Sequence, residues 1–276
     1  MKSPDINSVK EFWNNNPLWT GESRFAPGSK EFFAEHRSVS LKDCFGGRMD
    51  ERVFPVTNRD QPVLDLGCGI GFWLKELSDR GFTRIHGADL TPASLKLARQ
   101  RCELFNVACE FHEENAECLS FKDGSFAHVN CQGVIHHTPH PDRAIAEIAR
   151  VLQPQGTASI SVYYKNVIIR NWRIFSQPSK LLGRLGAKLS GRGREQIYSA
   201  ESVDEIIRLY DGKDNPIGIG YSCEEFRNAL SPHFHVEAIY FHFFPRRSLP
   251  FYIPPFVHRW LDRQVPFMIY GQLRKR

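Results

Sequence analysis

A glycine-rich turn between an apolar strand and a helix constrains the fold of this chain more than any other feature. The strand reads VLDL (63–66), and GCGIG (67–71) follows it directly. Glycine adopts left-handed backbone angles and leaves the main chain bare, so a ligand can approach it closely. The other interpretation is a tight turn that binds nothing. The GxGxG spacing differs from the GxGxxG of a dinucleotide cradle.

Short apolar runs alternate with helical patterns between residues 61 and 163. Strands are predicted over 63–66, 83–88, 111–113, 126–131 and 157–163, and helices over 72–78, 92–105 and 143–152. Strands separated by helices of about ten residues pair in parallel through right-handed crossovers. Two later strands, over 235–241 and 267–272, would add an antiparallel pair at the edge. The sequence therefore predicts an α/β, Rossmann-like fold with a seven-stranded, mostly parallel sheet and helices on both faces.

Changes in composition and in hydrophobic pattern divide the chain into four parts. We expect a polar, irregular N-terminal cap segment (1–60), a core (61–163), an inserted helical lid or cap (164–220), and a C-terminal part of the core (221–276) with an aromatic insertion (243–265). The aromatic residues of 240–270, together with Phe12, Trp13 and Trp19, are predicted to roof a site for an apolar or planar ligand. The alternative is a second small core beneath a loop-rich cap.

The composition argues against several classes of protein. No apolar run approaches 18 residues and no apolar leader opens the chain, so neither a membrane span nor a secretion signal is expected. The seven cysteines are scattered without a CxxC pair, which favours reduced thiols in the cytoplasm over disulfides or a metal site. The net charge of +5 does not by itself indicate nucleic acid as a partner.

Two acidic residues favour a nucleoside ligand with a cationic end. Asp65 lies two residues before the first glycine, where a carboxylate can serve an ammonium group but would repel a pyrophosphate. Asp89 directly follows the second predicted strand, 22 residues after Gly67, and can accept hydrogen bonds from both hydroxyls of a ribose. The alternative is that Asp89 caps the next helix, although Thr91 is better placed to do so.

As a set, these segments resemble class I S-adenosylmethionine-dependent methyltransferases. The resemblance rests on DLGCGIGFWLKEL (65–77), GADLTPASLKLAR (87–99), ENAECLSFKDGSF (114–126), GVIHHTPHPDRAIAEIARVLQPQG (133–156) and the fifth strand. It is strongest to the methyltransferase type 11 group, which includes the ubiquinone and menaquinone C-methyltransferases, and it covers about residues 61–163. It implies transfer of the methyl group of S-adenosylmethionine, by in-line displacement, to a small apolar or aromatic acceptor, with S-adenosylhomocysteine as product.

The resemblance also implies which residues hold this cofactor. The methionine end would lie against Asp65 and the turn, and the ribose against Asp89 and Leu90. The adenine edge would meet Asn115, where the family often has Asp, and the main chain of Ala116. Gln132 and Gly133 follow the fourth strand at the same edge of the sheet. The full predicted set is Asp65, Gly67, Cys68, Gly69, Gly71, Asp89, Leu90, Asn115, Ala116, Gln132 and Gly133.

Three further residues are candidates for the chemistry at the methyl group. His136 and His137 are the predicted ionisable groups near it, either as a base or only as packing. Tyr163, at the end of the fifth strand, is predicted to line the acceptor pocket or to pack there. Displacement at a sulfonium needs neither a metal nor a covalent intermediate. Two alternatives remain, a catalytically silent S-adenosylmethionine-binding protein and a nucleotide-linked dehydrogenase, which would need GxGxxG.

A basic stripe marks residues 180–192. Lys180, Arg184, Lys188 and Arg192 alternate with Leu181, Leu185 and Leu189 at helical spacing. Such an amphipathic helix can lie on an anionic membrane surface or close as a lid. The alternative is an ordinary solvated helix.

Overall fold

The computed structural model describes residues 4–184, 189, 194–246, 249 and 251–276, and of residues 182, 183 and 195 only the backbone. Within these ranges, no helix is long and apolar enough to cross a membrane.

A single sheet forms the centre of the molecule. Its strands are β1 (Val63–Leu66), β2 (Ile85–Asp89), β3 (Glu110–Glu113), β4 (Phe126–Gln132), β5 (Leu152–Tyr164), β6 (Gly220–Tyr221), β7 (Phe234–His242) and β8 (Met268–Lys275). They lie in the order β3-β2-β1-β4-β5-β8-β7, and β6 pairs with β5 beside this path. All pairs are parallel except those of β8 with β5 and with β7. The predicted fold is confirmed with one strand more than expected, because β6 is too short to show an alternating pattern.

Helices cover both faces of the sheet, as predicted. They are α1 (Ile6–Asn15), α2 (Lys30–Phe45), α3 (Phe72–Asp79), α4 (Pro92–Leu104), α5 (Pro141–Val151), α6 (Val167–Arg170), α7 (Trp172–Arg184), α8 (Val203–Tyr210), α9 (Cys223–Leu230) and α10 (Pro255–Gln264). One apolar layer joins β1 to α3 and α4 through residues such as Val63 and Leu74. The other joins β4 and β5 to α5 and α9 through Val129, Ile148 and Phe226.

The N-terminal segment is more regular than its sequence suggests. Asp5 accepts a hydrogen bond from the Ser8 N–H at the start of α1, and Ser29 accepts one from the Phe32 N–H at the start of α2. The fully buried Phe32 ring anchors α2 to the core. The expectation of an irregular segment is therefore wrong, because side-chain caps and buried aromatic rings stabilise two helices there.

Residues 164–220, predicted as a lid or cap, have a small apolar cluster of their own. Residues 164–220 contain α6, α7 and α8, and their Trp172 and Ile206 share a small apolar cluster. Of the predicted basic stripe, α7 contains Lys180, Leu181 and Arg184, whereas Leu185, Lys188 and Arg192 lie outside the described residues.

Four aromatic side chains of the second insertion do not roof a site. Phe251, Tyr252, Phe256 and Trp260 are between 60 and 71% exposed. For Phe256 and Trp260 the reason is the orientation of α10, which turns Asp262 towards the end of β7, where its Oδ2 lies 3.2 Å from His242 Nδ1. Phe256 and Trp260 are one turn apart on the other side of this helix. The predicted roof is wrong for these four residues.

Candidate active site

A first cavity opens where β1, β2 and β4 end, at the carboxyl edge of the sheet. Its lining comes from these strand ends, the turns that follow them, and α1: Ile6, Val9, Trp13, Leu18, Leu66, Gly67, Gly69, Asp89, Leu90, Thr91, Ser94, Glu114, Asn115, Ala116, Gln132, Gly133, Val134, His137 and Thr138. This is the edge at which parallel α/β sheets bind their ligands. Eight of the eleven predicted cofactor residues line this cavity.

The glycines of the turn serve different purposes. Gly69 has φ +52°, and a Cβ there would meet nothing within 4 Å, so its main chain is bare towards the cavity. Gly71 has φ +77°, and a Cβ there would lie 3.2 Å from the Cα of Ala98. Gly71 therefore permits α3 to pack against α4, and it does not line the cavity. Cys68 faces a second cavity, described below.

Asp89 ties the end of β2 to the glycine turn. Its Oδ2 accepts a hydrogen bond from the Gly69 N–H at 2.9 Å, and its Oδ1 accepts from the Thr91 N–H and from the Thr91 hydroxyl. Thr91 makes no side-chain cap on α4, contrary to the sequence-based expectation, because its hydroxyl is used by Asp89. Burial raises the pKa of Asp89. Oδ1 thus already accepts two hydrogen bonds, whereas Oδ2 accepts one and keeps a lone pair for a ligand.

Asp65 lies beneath the cavity and does not line it. Its Oδ1 accepts from the Asn130 amide at 2.7 Å, while its Oδ2 is buried without a hydrogen-bond partner among the described residues. The amide oxygen Oε1 of Gln132 is also buried without a hydrogen-bond partner among the described residues. Burial raises the pKa of Asp65 to about 7, and the Asn130 hydrogen bond opposes the shift. A carboxyl oxygen and an amide oxygen that both lack partners beside one turn indicate a ligand that forms hydrogen bonds with them.

This carboxyl gives the unliganded protein a pH-dependent stability. Asp65 keeps its proton in the folded chain up to about pH 7, whereas the unfolded chain releases it near the ordinary value of 3.8. The stability it contributes is therefore complete below about pH 4 and is lost as the pH rises to about 7. Relative to the wild type, Asp65→Asn should gain about 3 kcal/mol between pH 5 and pH 8 in urea unfolding. Parallel stabilities at the two pH values would contradict the assignment.

The far end of the first cavity is formed by the turn after β3. The Asn115 amide oxygen accepts from the Glu117 N–H at 3.0 Å, which holds the turn, and Ala116 follows as a buried lining residue. The Asn115 amide oxygen, which is predicted to meet adenine, thus already accepts one hydrogen bond and can accept one more.

Helix α1 closes the first cavity from outside. Lys10 pairs with Glu113 at 2.6 Å, and Asn14 accepts from the Ala93 N–H at 3.1 Å, which fastens α1 to β3 and α4. Ile6, Val9 and Trp13 face the cavity. Trp13, predicted as part of a roof, does cover the site, and its ring meets that of His137 edge-on at 5.2 Å.

A second cavity continues from the first on the other side of the glycine turn. Nine of its 25 lining residues are Phe, Trp or Tyr, and eight others carry polar side chains: Trp13, Leu18, Trp19, Glu22, His36, Ser40, Cys44, Phe45, Gly67, Cys68, Gly69, Ile70, Phe72, Trp73, Gln132, Gly133, His137, Ser161, Tyr163, Arg194, Tyr210, Asp211, Phe243, Met268 and Tyr270. Gly67, Gly69, Gln132, Gly133 and His137 line both cavities. The two cavities therefore adjoin each other at these five residues.

Asp211 organises the polar groups of the second cavity. Its oxygens accept from the Tyr163 hydroxyl at 2.9 and 2.8 Å, and its Oδ2 lies 3.3 Å from His137 Nε2. The other ring nitrogen of His137 lies 2.7 Å from the Ile217 carbonyl oxygen, so Nδ1 carries a proton and donates it. Burial, and then Asp211, raise the pKa of Tyr163 well above its ordinary value, so this phenol is a donor and not a base.

His136 and His137 do not share an environment. His136 is buried, lines neither cavity, and has no hydrogen-bond partner for either ring nitrogen among the described residues. Burial lowers the pKa of His136 well below its ordinary value, so the ring is neutral packing behind His137 and Tyr163. Of the two histidines, the geometry places only His137 at the site.

Three charged residues of the second cavity are absent from the predicted site. They are Asp211 and the ion pair between Arg194 and Glu22, whose charged atoms lie 3.3 Å apart. Glu22 precedes the core, whereas Arg194 and Asp211 follow it. The two members of the ion pair are 172 residues apart in the sequence. No local motif marks them, and only the path of the chain brings them together.

Comparison with known proteins decides the class of this core. A sequence profile of a methyltransferase domain family matches residues 63–156. The chain therefore contains a methyltransferase domain. This match, together with the relatives described next, confirms the predicted resemblance to class I methyltransferases. It gives no support to the dehydrogenase alternative.

The methyltransferase domain is similar to several named enzymes. A demethylmenaquinone methyltransferase of Deinococcus radiodurans is 28% identical over 66% of this chain and 76% of its own. A ubiquinone biosynthesis O-methyltransferase of Neisseria meningitidis serogroup C is 32% identical over 39% of this chain and 46% of its own. The match thus spans less than half of the second relative. A solved SAM-dependent methyltransferase of Methanosarcina mazei shares the fold, with a TM-score of 0.56 at 19% identity over 81% of this chain and 97% of its own.

The first cavity of the methyltransferase domain fits S-adenosylmethionine. The buried Oδ2 of Asp65 and Oε1 of Gln132 lack donors, which an ammonium group would supply. The bare main chain at Gly69 leaves room for the ligand, and Asp89 offers carboxylate oxygens for hydroxyls. These acceptor groups and the bare main chain are therefore consistent with the predicted cofactor.

Gly69→Val should abolish binding of S-adenosylmethionine by the methyltransferase domain, because the new side chain would occupy the cavity. Gly81→Val is the matched control: Gly81 also has positive φ, +83°, with nothing within 4 Å, but it lies away from both cavities. Both substitutions place a β-branched residue at positive φ and so strain the backbone. Equal loss of affinity in the two variants, measured by isothermal titration, would show that strain and not occupancy is responsible.

Proposed function

We propose that the chain transfers the methyl group of S-adenosylmethionine to a small aromatic acceptor held in the second cavity. The observation that carries this proposal is the shared wall of the two cavities at Gly67, Gly69 and His137. A donor lying along the glycine turn has its methionine end at that wall, where it faces the acceptor. The donor supplies an electrophilic methyl group on a sulfonium, and the chain supplies position and exclusion of water.

The lining of the second cavity supports a planar acceptor with a polar edge. Trp19, Phe45, Trp73 and Tyr270 offer ring faces and edges for stacking. The polar groups are gathered around Asp211 and around the Arg194–Glu22 pair, so they would orient one side of the acceptor. The relatives whose names mention menaquinone and ubiquinone biosynthesis are consistent with a quinol-like ring.

The polar cluster supports methylation at oxygen. His137 donates from Nδ1 to Ile217 and its Nε2 faces the Asp211 carboxylate, so the His137–Asp211 pair can take up one proton from an acceptor hydroxyl and become an ion pair. The Asp211 carboxylate, 3.3 Å from Nε2, stabilises the imidazolium so formed, and the Tyr163 hydroxyl holds Asp211 in place. His137 is thus the proposed base, Asp211 its partner, and Tyr163 a positioning residue.

An assay of S-adenosylhomocysteine release tests this function. The purified chain is incubated with S-adenosylmethionine and with matched acceptors: simple quinols and phenols, their O-methylated counterparts, and aliphatic alcohols of similar size. Release with the free phenolic compounds alone supports the proposal. Release with the O-methylated or aliphatic compounds only would contradict the oxygen acceptor or the aromatic class. Tight cofactor binding without release from any acceptor would instead support a silent binding protein.

Contact with a membrane surface and the location in the cell are two further predictions that stay proposals. Contact with an anionic membrane surface through 180–192 is supported by the 56% exposure of Leu181 between Lys180 and Arg184 on α7. A cytoplasmic location is supported by the seven free thiols. Binding to vesicles with and without anionic lipid tests the first.

A further inference from the structure

Two histidines and a glutamate meet at the β2–β3 edge of the sheet, outside both cavities. His86 lies in β2, and Glu110 and His112 lie in β3. The parallel register pairs His86 with Glu110, and His112 follows two residues later on the same face of β3. Their side chains therefore project together from one side of the sheet.

The distances between their ligand atoms suit a small metal ion. His86 Nδ1 lies 3.3 Å from His112 Nε2 and 3.6 Å from Glu110 Oε2, and the three ligand atoms lie within 4.8 Å of one another. Zinc binds imidazole nitrogen at about 2.0–2.1 Å, so two nitrogens at a tetrahedral zinc are about 3.3–3.4 Å apart. The observed separation of the two nitrogens needs little adjustment to receive the ion.

The surroundings hold the two rings in place. The His86 and His112 rings stack with an interplanar angle of 25°. Phe126 meets the edge of His86 at 5.2 Å, and Phe121 meets that of His112 at 4.9 Å. The exposed Glu110 adds the negative charge that a divalent cation favours.

We propose that His86, Glu110 and His112 form a zinc site with its fourth position open to water. Among the described residues this is the one group of three histidine, cysteine or carboxylate side chains whose ligand atoms converge in this way. The sequence predicts no metal because it shows no local ligand spacing: His86 and His112 are 26 residues apart and meet only through strand pairing. The site is separate from the proposed methyl transfer and does not depend on it.

Zinc at this position joins two strands that lead to the first cavity. β2 ends three residues after His86 at Asp89, and the turn after β3 reaches Asn115 three residues after His112. The ion would fix the spacing of these strands at the edge of the sheet, where β3 has a neighbour on one side only. Its expected effect is on stability.

Titration of the untagged, EDTA-treated chain with zinc chloride tests the proposal. We expect one zinc ion per chain and, at free zinc about 100-fold above Kd, a rise in Tm of about 5 °C. His112→Gln and Glu110→Gln should each weaken binding, His112→Gln by at least about tenfold, and keep the wild-type Tm in EDTA. The matched control is His235→Gln, an exposed histidine on β7, which should bind as the wild type does.

Two results would overturn the site. One is the absence of zinc binding by the wild-type chain. The other is zinc affinity in His112→Gln equal to that of the wild type and of His235→Gln, which would assign the ion to adventitious surface histidines. Because the readouts are zinc stoichiometry and thermal stability, neither result bears on the methyltransferase assignment.

Discussion

Asp89→Ala is expected to weaken binding of S-adenosylmethionine and S-adenosylhomocysteine by about 100-fold or more. Two hydrogen bonds from ribose hydroxyls to a carboxylate contribute about 1.5–3 kcal/mol each, and each 1.4 kcal/mol is a factor of ten in Kd. The substitution also removes the acceptor of the Gly69 N–H, so the glycine turn loses its tie to β2. Isothermal titration with both ligands measures the effect.

The control for this variant is Asp60→Ala. Asp60 is an exposed acid before β1 and lines neither cavity. It should leave both affinities unchanged, and circular dichroism should show the same fold in both variants. If Asp89→Ala folds normally and keeps wild-type affinity, then its carboxylate does not hold the ribose, and its hydrogen bonds to Thr91 and Gly69 are only structural.

His137→Gln is expected to lower the rate of methyl transfer by about 10²- to 10⁴-fold, the usual contribution of a general base. Glutamine keeps a polar side chain beside Asp211 but cannot take up the proton. The affinity for S-adenosylhomocysteine should change little, since the cofactor contacts at Gly69 and Asp89 remain. Single-turnover measurements with the best acceptor of the phenol panel separate the chemical step from binding.

Two companion variants sharpen the test of His137. His140→Gln changes an exposed histidine three residues away and should keep full activity. Asp211→Asn should reduce the rate less than His137→Gln, because it removes the stabilising charge but not the base. Full turnover by His137→Gln would leave His137 with a packing role only.

The core of the fold could be predicted because its information is local. The glycine turn, Pro92 at the start of α4 and the Ser222–Glu225 capping box on α9 each mark an element within a few residues. The antiparallel edge formed by β7 and β8 follows from two alternating segments near the C-terminus. The cofactor side of the site follows in turn, since it consists of strand ends and the turns after them.

The acceptor side could not be predicted because its residues are not local. Asp211, Arg194 and Glu22 meet only after the inserted helices and the N-terminal segment fold over the sheet. Burial separates His136 from His137, and no pattern in the pair HH reveals which ring faces the cavity. The aromatic content of 243–265 also gave a wrong prediction. Phe256 and Trp260 face outward because Asp262 attaches α10 to His242 at the end of β7.

A crystal structure with S-adenosylhomocysteine tests the central claim most directly. We expect the ribose at Asp89, the adenine beside Asn115 and Ala116, the amino group near Asp65 and Gln132, and the sulfur at the wall beside His137, facing the aromatic cavity. Density for the ligand elsewhere, or a sulfur directed away from the second cavity, would contradict the account.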